Sequence, residues 1–280
     1  MKIFVTGGTG FIGSHFLNCA LKAGHQVKAL RLPGDAPKIQ LSAAPQWLDG
    51  SLADEWSSPL KDCEVLVHLA AVGVSPQIAT WEKLLQVNVV QSVQLWQQAV
   101  KAGVKRLVIC GSCFEYGRSA ERYEFIPPGA PLEPLNAYAA SKAAATVAAL
   151  AFAAENKIEL IILRPFHVFG EGQHELNFWP ALKTAALGGK DFSMTAGEQL
   201  RDFVPVAEVA SAFVAALTRT DLRPGEPLVE NLGTGRPQTL RAFAEHWWRV
   251  WGATGRLQPG ALPYRANEVM RYVPQIPTRP

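Results

Sequence analysis

Charge of one sign is what this 280-residue sequence has least of: 27 lysines and arginines stand against 24 aspartates and glutamates, a formal net charge of +3. So slight an excess excludes the basic footprint that nucleic-acid or anionic-membrane binding calls for. Long hydrophobic runs are also scarce. The strongest membrane candidate, the alanine-rich stretch between Lys142 and Glu155, has 12 uncharged residues, whereas a spanning helix needs about 20. Met1–Thr6 is a short apolar run leading straight into glycines, without the apolar core and cleavage site of a secretory signal, and a cytoplasmic protein is expected. Cysteine is rare too. Cys19, Cys63, Cys110 and Cys113 include one C-x-x-C, with no second C-x-x-C or H-x-x-x-H to complete a zinc site. A redox pair more naturally opens a helix, whereas Cys110 ends an apolar strand. Ordinary strand-end cysteines and no metal are expected.

What is present points to a folded α/β protein. Hydrophobic residues make up 48% and charged residues 18%, enough for a large core. At about 150 residues per domain the length suggests two units. Short β-branched runs at Lys2–Thr6, Gln26–Arg31, Val65–Leu69, Arg106–Gly111 and Leu160–Arg164 alternate with helical patterns at Phe11–Ala23, Thr80–Ala102 and Ala137–Glu155. Continuously apolar strands separated by helices predict a Rossmann-like, doubly wound parallel sheet with ligands at the carboxyl ends of its strands. The proline-rich Glu121–Pro134 reads as a surface loop bordering that edge. Beyond Gly170 the pattern becomes irregular, with helices at Phe178–Leu187, Val206–Thr218 and Leu240–Val250 and strands at Phe192–Thr195 and Leu228–Asn231. The expected division is a dinucleotide-binding domain over 1–165 and a smaller, mainly substrate-binding lobe over 166–280, with some of its segments returning to the sheet.

Thr6–Gly13 reads TGGTGFIG between the first strand and the first helix. Gly7, Gly10 and Gly13 permit a sharp turn, close approach of a pyrophosphate and tight helix–strand packing, while the helix opening at Phe11 and Ile12 aims free amides at the phosphates. The second strand ends in Arg31, with no acid until Asp35. An arginine there suits the 2′-phosphate of NADP(H), so NADP(H) is favoured and NAD(H) is possible; a solvated strand-end arginine is the alternative. Tyr138 and Lys142 form Y-x-x-x-K, one helical turn apart on one face. A nearby ammonium favours phenolate, which would lower the Tyr138 pKa and make it a general acid or base near neutrality. Ser112, just past the strand Arg106–Gly111, could polarise the carbonyl that Tyr138 protonates.

These residues resemble the extended short-chain dehydrogenase/reductase family, in its nucleotide-sugar epimerase, dehydratase and reductase branch. TGGTGFIG, HLAA at His68–Ala71, VNV at Val87–Val89, GSCFEYG at Gly111–Gly117, YAASK at Tyr138–Lys142, LRPFHVFG at Leu163–Gly170, RDFVPV at Arg201–Val206 and NLGTG at Asn231–Gly235 occur in the family's order. The resemblance implies hydride transfer between nicotinamide and a sugar carbon. Tyr138 would be the acid/base, Lys142 would anchor the nicotinamide ribose and Ser112 would hydrogen-bond the sugar oxygen. Leu69, Ala70 and Ala71 would line the cofactor, Pro165–His167 would meet the nicotinamide, and Leu52 would belong to the cofactor-binding set. Arg201, and Arg265 in YRANE, would grip the diphosphate of a nucleotide-diphosphate sugar; for Arg265 a surface arginine is the alternative. Cys113, Phe114, His167 and Phe178 complete the expected substrate-binding set.

Three departures narrow the chemistry. Cys113 and Phe114 stand where 4,6-dehydratases carry Asp-Glu, so dehydration is not expected; strand alternation is expected to turn Glu115, one place further, elsewhere. His167 replaces a usual asparagine, and Ser51 replaces an aspartate near the adenine. The resulting expectation is an NADPH-dependent reductase of a nucleotide-linked 4-keto-6-deoxy sugar. The alternatives are an NAD-dependent nucleotide-sugar 4-epimerase and a non-catalytic NADP-binding regulator. Ala139, Ala140, Ala143, Ala144, Ala145, Ala148 and Ala149 permit close helix approach, and the resemblance implies a homodimer through this helix and the one before it; intramolecular core packing is the alternative.

Overall fold

The computed structural model describes residues 1–276. In chain order the first half comprises β1 (Lys2–Thr6), α1 (Phe11–Lys22), β2 (Gln26–Arg31), β3 (Gln46–Asp49), α2 (Ser57–Leu60), β4 (Val65–His68), α3 (Trp81–Leu85), α4 (Ser92–Lys101), β5 (Arg106–Cys110), α5 (Ala137–Asn156) and β6 (Glu159–Pro165). The remainder adds β7 (His167–Phe169), α6 (Phe178–Leu187), β8 (Phe192–Met194), β9 (Leu200–Arg201), β10 (Phe203–Pro205), α7 (Val206–Ala216), β11 (Leu228–Leu232), β12 (Gln238–Thr239), α8 (Leu240–Val250), β13 (Leu257–Pro259) and β14 (Arg271–Tyr272).

Seven strands form a parallel sheet in the order β11-β6-β5-β4-β1-β2-β3. The order reverses between β1 and β4, and the crevice at such a switch point is where doubly wound sheets bind ligands. Both faces are covered, as continuous apolar strands require. Ile3 and Val5 pack with Phe16, Leu17 and Phe213 of α1 and α7. Phe4 points the other way, into a cluster with Leu95, Trp96 and Phe152 of α4 and α5. A smaller cluster around Leu182, Met194 and Ala244 forms the core of the second lobe.

Two segments beyond Gly170 belong to the sheet layer: β11 pairs parallel with β6, and α7 packs against α1. Strand β3, absent from the sequence reading, extends the opposite edge and sets Asp49 beside Arg31. The helical pattern over Thr80–Ala102 is one continuous rod in the sequence reading, but the chain forms α3 and α4 joined by a π-helical stretch at Gln86–Gln91. Helix α5 has 20 residues and is apolar enough by composition to cross a bilayer, yet Ala139, Ala143, Ala149 and Phe152 are buried within the fold.

Candidate active site

The glycine turn follows β1 and shapes the floor of the switch-point crevice. Gly7 takes φ +72°, and a Cβ there would lie 2.5 Å from the Ala70 nitrogen. At Gly13 a Cβ would lie 2.0 Å from the Gly7 carbonyl oxygen, so the helix can seat against the turn only with glycine. Gly10 is the N-cap of α1 and offers no capping side chain. The first-turn amides of Phe11, Ile12 and Gly13 therefore have no intrahelical acceptor. This open amide fan at a helix amino terminus fits a pyrophosphate. Ala70 donates its N–H to Thr6 Oγ1 at 3.4 Å and Leu69 donates to the Thr6 carbonyl at 3.1 Å, holding the β4 exit beside the turn. His68 bridges Thr6 Oγ1 (2.8 Å) and Ser92 Oγ (2.9 Å), and burial pushes its pKa down to about 3, so it is a neutral structural link. Leu52 is buried in the core beside β2 and β3.

Arg31 is not the isolated cation that the sequence suggested. Its Nε donates to Asp49 Oδ1 at 2.7 Å, and its guanidinium carbon lies 4.9 Å from the Trp47 ring centre. The nearest acid in the chain is Asp35, but the nearest in the sheet comes from the neighbouring strand. That carboxylate weakens the electrostatic case for a 2′-phosphate. The terminal nitrogens of Arg31 have no protein hydrogen-bond partner among the described residues.

Ser112, Tyr138 and Lys142 gather where β5 and α5 meet. Ser112 is buried directly after β5 and accepts the Phe114 N–H at 3.2 Å. Asn136 caps α5 by accepting the Ala139 N–H at 2.9 Å, placing Tyr138 in the first turn and Lys142 in the second. The Lys142 ammonium is buried and donates to the Cys110 carbonyl at 2.7 Å. The expected lowering of the Tyr138 pKa does not occur. Burial raises it, the Cys110, Glu115 and Cys113 groups add to the rise, and a hydrogen bond with Ser112 opposes it. Lys142 is committed to a backbone carbonyl, and loss of solvent around the phenol dominates. Burial also pushes the Cys110 and Cys113 thiols up, to about 11 and 12, so both are protonated and unreactive at neutral pH.

Among the residues expected to bind substrate, Phe114 packs edge-on to His167 and Tyr272, with ring centres 5.9 and 6.0 Å apart. His167 Nδ1 is buried without a partner, and burial followed by the Arg201 charge holds the imidazole neutral. Arg201 is buried; its NH2 donates to Glu268 Oε1 at 2.6 Å and to the Val269 carbonyl at 2.7 Å. Burial draws its pKa below the usual arginine range, with Glu268 opposing. Arg265 is exposed on the turn that carries Glu268. Phe178 packs edge-on to Phe192 in the lobe cluster. The RDFVPV and NLGTG motifs meet: Asp202 accepts from Thr234 N and Oγ1 and from Gly235 N at 2.7–3.0 Å. Pro165 pairs with Leu232, and His167 N donates to the Asp202 carbonyl, so these motifs set the β6–β7 corner.

Three buried polar residues escaped the sequence reading. Asn88, in the π-helical stretch, accepts from Val72 N (2.9 Å) and donates to the Val72 carbonyl (3.1 Å) and Ser141 Oγ (2.9 Å), clamping the β4 loop to α5. The VNV motif marked it without a role. Glu115 and Arg164 form a fully buried ion pair at 2.8 Å. Strand alternation suggested that Glu115 turns away. In fact it closes a capping box with Ser112, whose S-x-x-E spacing was the available signal.

Residues 3–232 match the NAD dependent epimerase/dehydratase family. The UDP-glucose 4-epimerase of Neisseria meningitidis serogroup B is 29% identical over 86% of this chain and 81% of its own length. The CDP-abequose synthase of Salmonella muenchen is 24% identical over 96% and 87%. Among solved structures, MoeE5 in complex with UDP-glucuronic acid and NAD superposes with a TM-score of 0.83 at 29% identity, covering 99% of this chain and 90% of that one.

Proposed function

The chain is an enzyme of the NAD dependent epimerase/dehydratase family, and from that premise we propose that it is a nucleotide-sugar 4-epimerase working with NAD. The observation that carries the choice is the pairing of Arg31 with Asp49. A carboxylate at the ribose edge suits free hydroxyls and disfavours a 2′-phosphate, and an epimerase needs a retained NAD rather than exchangeable NADPH. The resemblance to UDP-glucose 4-epimerases supports the same reading. Cys113 and Phe114 leave no carboxyl pair after Ser112 to drive elimination of water.

The glycine turn and the α1 amides would hold the pyrophosphate, with Leu69, Ala70 and Ala71 along the crevice wall. Lys142, between the Cys110 carbonyl and Tyr138, would hold the nicotinamide ribose. NAD, when bound, accepts a hydride from the sugar carbon and returns it. Tyr138 would take the proton of the sugar hydroxyl and later give it back, while Ser112 holds that oxygen. Arg201 and His167 would face the diphosphate and sugar.

A reductase of a nucleotide-linked 4-keto-6-deoxy sugar is the second reading, favoured by the unengaged terminal nitrogens of Arg31, whose fork suits a phosphate. One experiment separates the two. Protein purified without added cofactor is denatured to identify the dinucleotide released, then fresh protein is incubated with UDP-glucose. Released NAD and formation of the C4 epimer support the epimerase. Absence of both, with NADPH consumed in the presence of a nucleoside-diphosphate 4-keto-6-deoxy sugar, overturns it in favour of the reductase.

The reading includes a homodimer through α5 and the helices before it. Val147 on α5 and Trp81, Leu85 and Val90 beside it are exposed apolar side chains, and α3 and the π-helical stretch pack against α5. Light scattering is expected to give twice the 30.4 kDa chain mass.

A further inference from the structure

Glu115 is completely buried, yet neither phosphate recognition nor proton transfer as described above requires it. Its carboxylate is filled by three donors from three elements. Oε1 accepts the Ser112 N–H at 2.7 Å; Oε2 accepts from Thr146 Oγ1 and from Arg164 Nε, both at 2.8 Å. Ser112 leaves β5. Thr146 stands on α5, one turn beyond Lys142 and two beyond Tyr138, on the same face. Arg164 lies in β6 immediately before Pro165–His167. Arg164 NH1 continues to Tyr116 Oη (2.9 Å) and the Pro128 carbonyl (3.0 Å), and Tyr116 Oη donates to Asn231 Oδ1 on β11 at 2.6 Å.

We propose that Glu115 is a positioning residue for hydride transfer, acting through Ser112 and Thr146 to set the serine hydroxyl against the Tyr138–Lys142 face of α5. The proposal rests on the acid–base reading given above for those three residues. Three donors converge on Glu115, one of them a guanidinium, and a two-oxygen acceptor bearing negative charge satisfies all three. The packing leaves no slack: a Cβ on Gly111 would lie 2.9 Å from Glu115 Oε1 and 2.8 Å from Arg164 Cγ. Ser112 is therefore fixed from beneath by its own amide while its hydroxyl stays turned toward the phenol, and Thr146 ties the same oxygen pair to the helix that carries the phenol.

Glu115→Gln strands the buried Arg164 charge and can unfold the chain, so the deciding variant is Thr146→Val, with Thr146→Ser as rescue. In the full chain, conversion of UDP-glucose to its C4 epimer is followed together with NAD content, melting temperature and amide hydrogen exchange of the 110–117 peptide. Thr146→Val is expected to lower kcat about tenfold, because small misplacements of reacting groups have large rate effects. KM and NAD content should stay within about twofold, exchange in 110–117 should quicken, and Thr146→Ser should restore both kcat and exchange. An unchanged kcat, or a KM rise alone, overturns the proposal and leaves Glu115 a structural staple. If the wild-type chain converts no nucleotide sugar, the epimerase reading fails separately. Exchange then decides: unchanged protection of 110–117 in Thr146→Val overturns the positioning of Ser112, and serine-reversible loss upholds it.

Discussion

Tyr138 holds its proton tightly because burial disfavours phenolate. To act as a base it must lose that proton, and a raised pKa puts the base form on the alkaline side. kcat/KM for oxidation of the sugar is therefore expected to rise with pH between about 6 and 9. Tyr138→Phe should lower kcat by roughly a thousandfold and abolish this slope, with NAD content unchanged; a retained slope would assign the proton transfer to another group. Asp49 offers a second residue-level measurement. Asp49→Asn removes the charge beside Arg31 and should raise NADP affinity relative to NAD about tenfold, or about 1.4 kcal/mol, in fluorescence titrations. An unchanged ratio would separate the Arg31–Asp49 pair from cofactor choice.

Helix α5 carries the Tyr138 phenol at its first turn, so in the proposed reaction its cap matters beyond helix stability. Asn136→Ala removes the side-chain acceptor for the Ala139 N–H and should cost about 1 kcal/mol in urea unfolding, with a further loss in kcat as the first turn frays. Elements in both halves of the chain were legible: β1 and β2 in the first, α6 and α8 in the lobe lie where their apolar patterns put them, and the glycine turn falls between β1 and α1. Strand β3 was not, because Gln46-Trp47-Leu48-Asp49 is a four-residue edge strand with exposed ends, a half-buried middle and no continuous apolar run. The π-helical stretch was hidden because its residues keep helical composition while the register slips by one to bring Asn88 onto Val72 and Ser141. Arg31 and Asp49, or Glu115 and Arg164, are partners across strands, and single-chain spacing does not report such pairs. The Ser112–Glu115 box was local and could have been read, but the alternation expected of a strand was applied one turn too far.

For the molecule as a whole, the buried imidazole of His68 links stability to pH. Its folded pKa of about 3 lies below the ordinary 6.5, so the unfolded chain binds the extra proton between those values. Stability from this group is fully present above pH 6.5 and is lost progressively as pH falls toward about 3, by about 3 kcal/mol at pH 4. His167 acts in the same direction. Urea unfolding at pH 7 and pH 5 should show the decline, and His68→Gln should reduce it; an equal decline in the variant would place the linkage elsewhere. The return of β11 and α7 to the sheet layer has a different consequence, for recombination. A relative's substrate lobe cannot be spliced on at residue 165 as a cassette, because the strand that covers the β6 edge and the helix that covers α1 would arrive with foreign side chains. A working chimera must keep α7 and β11 from the host and exchange only the pieces before α7, around α6 and β8, and after β11, around α8 and β13.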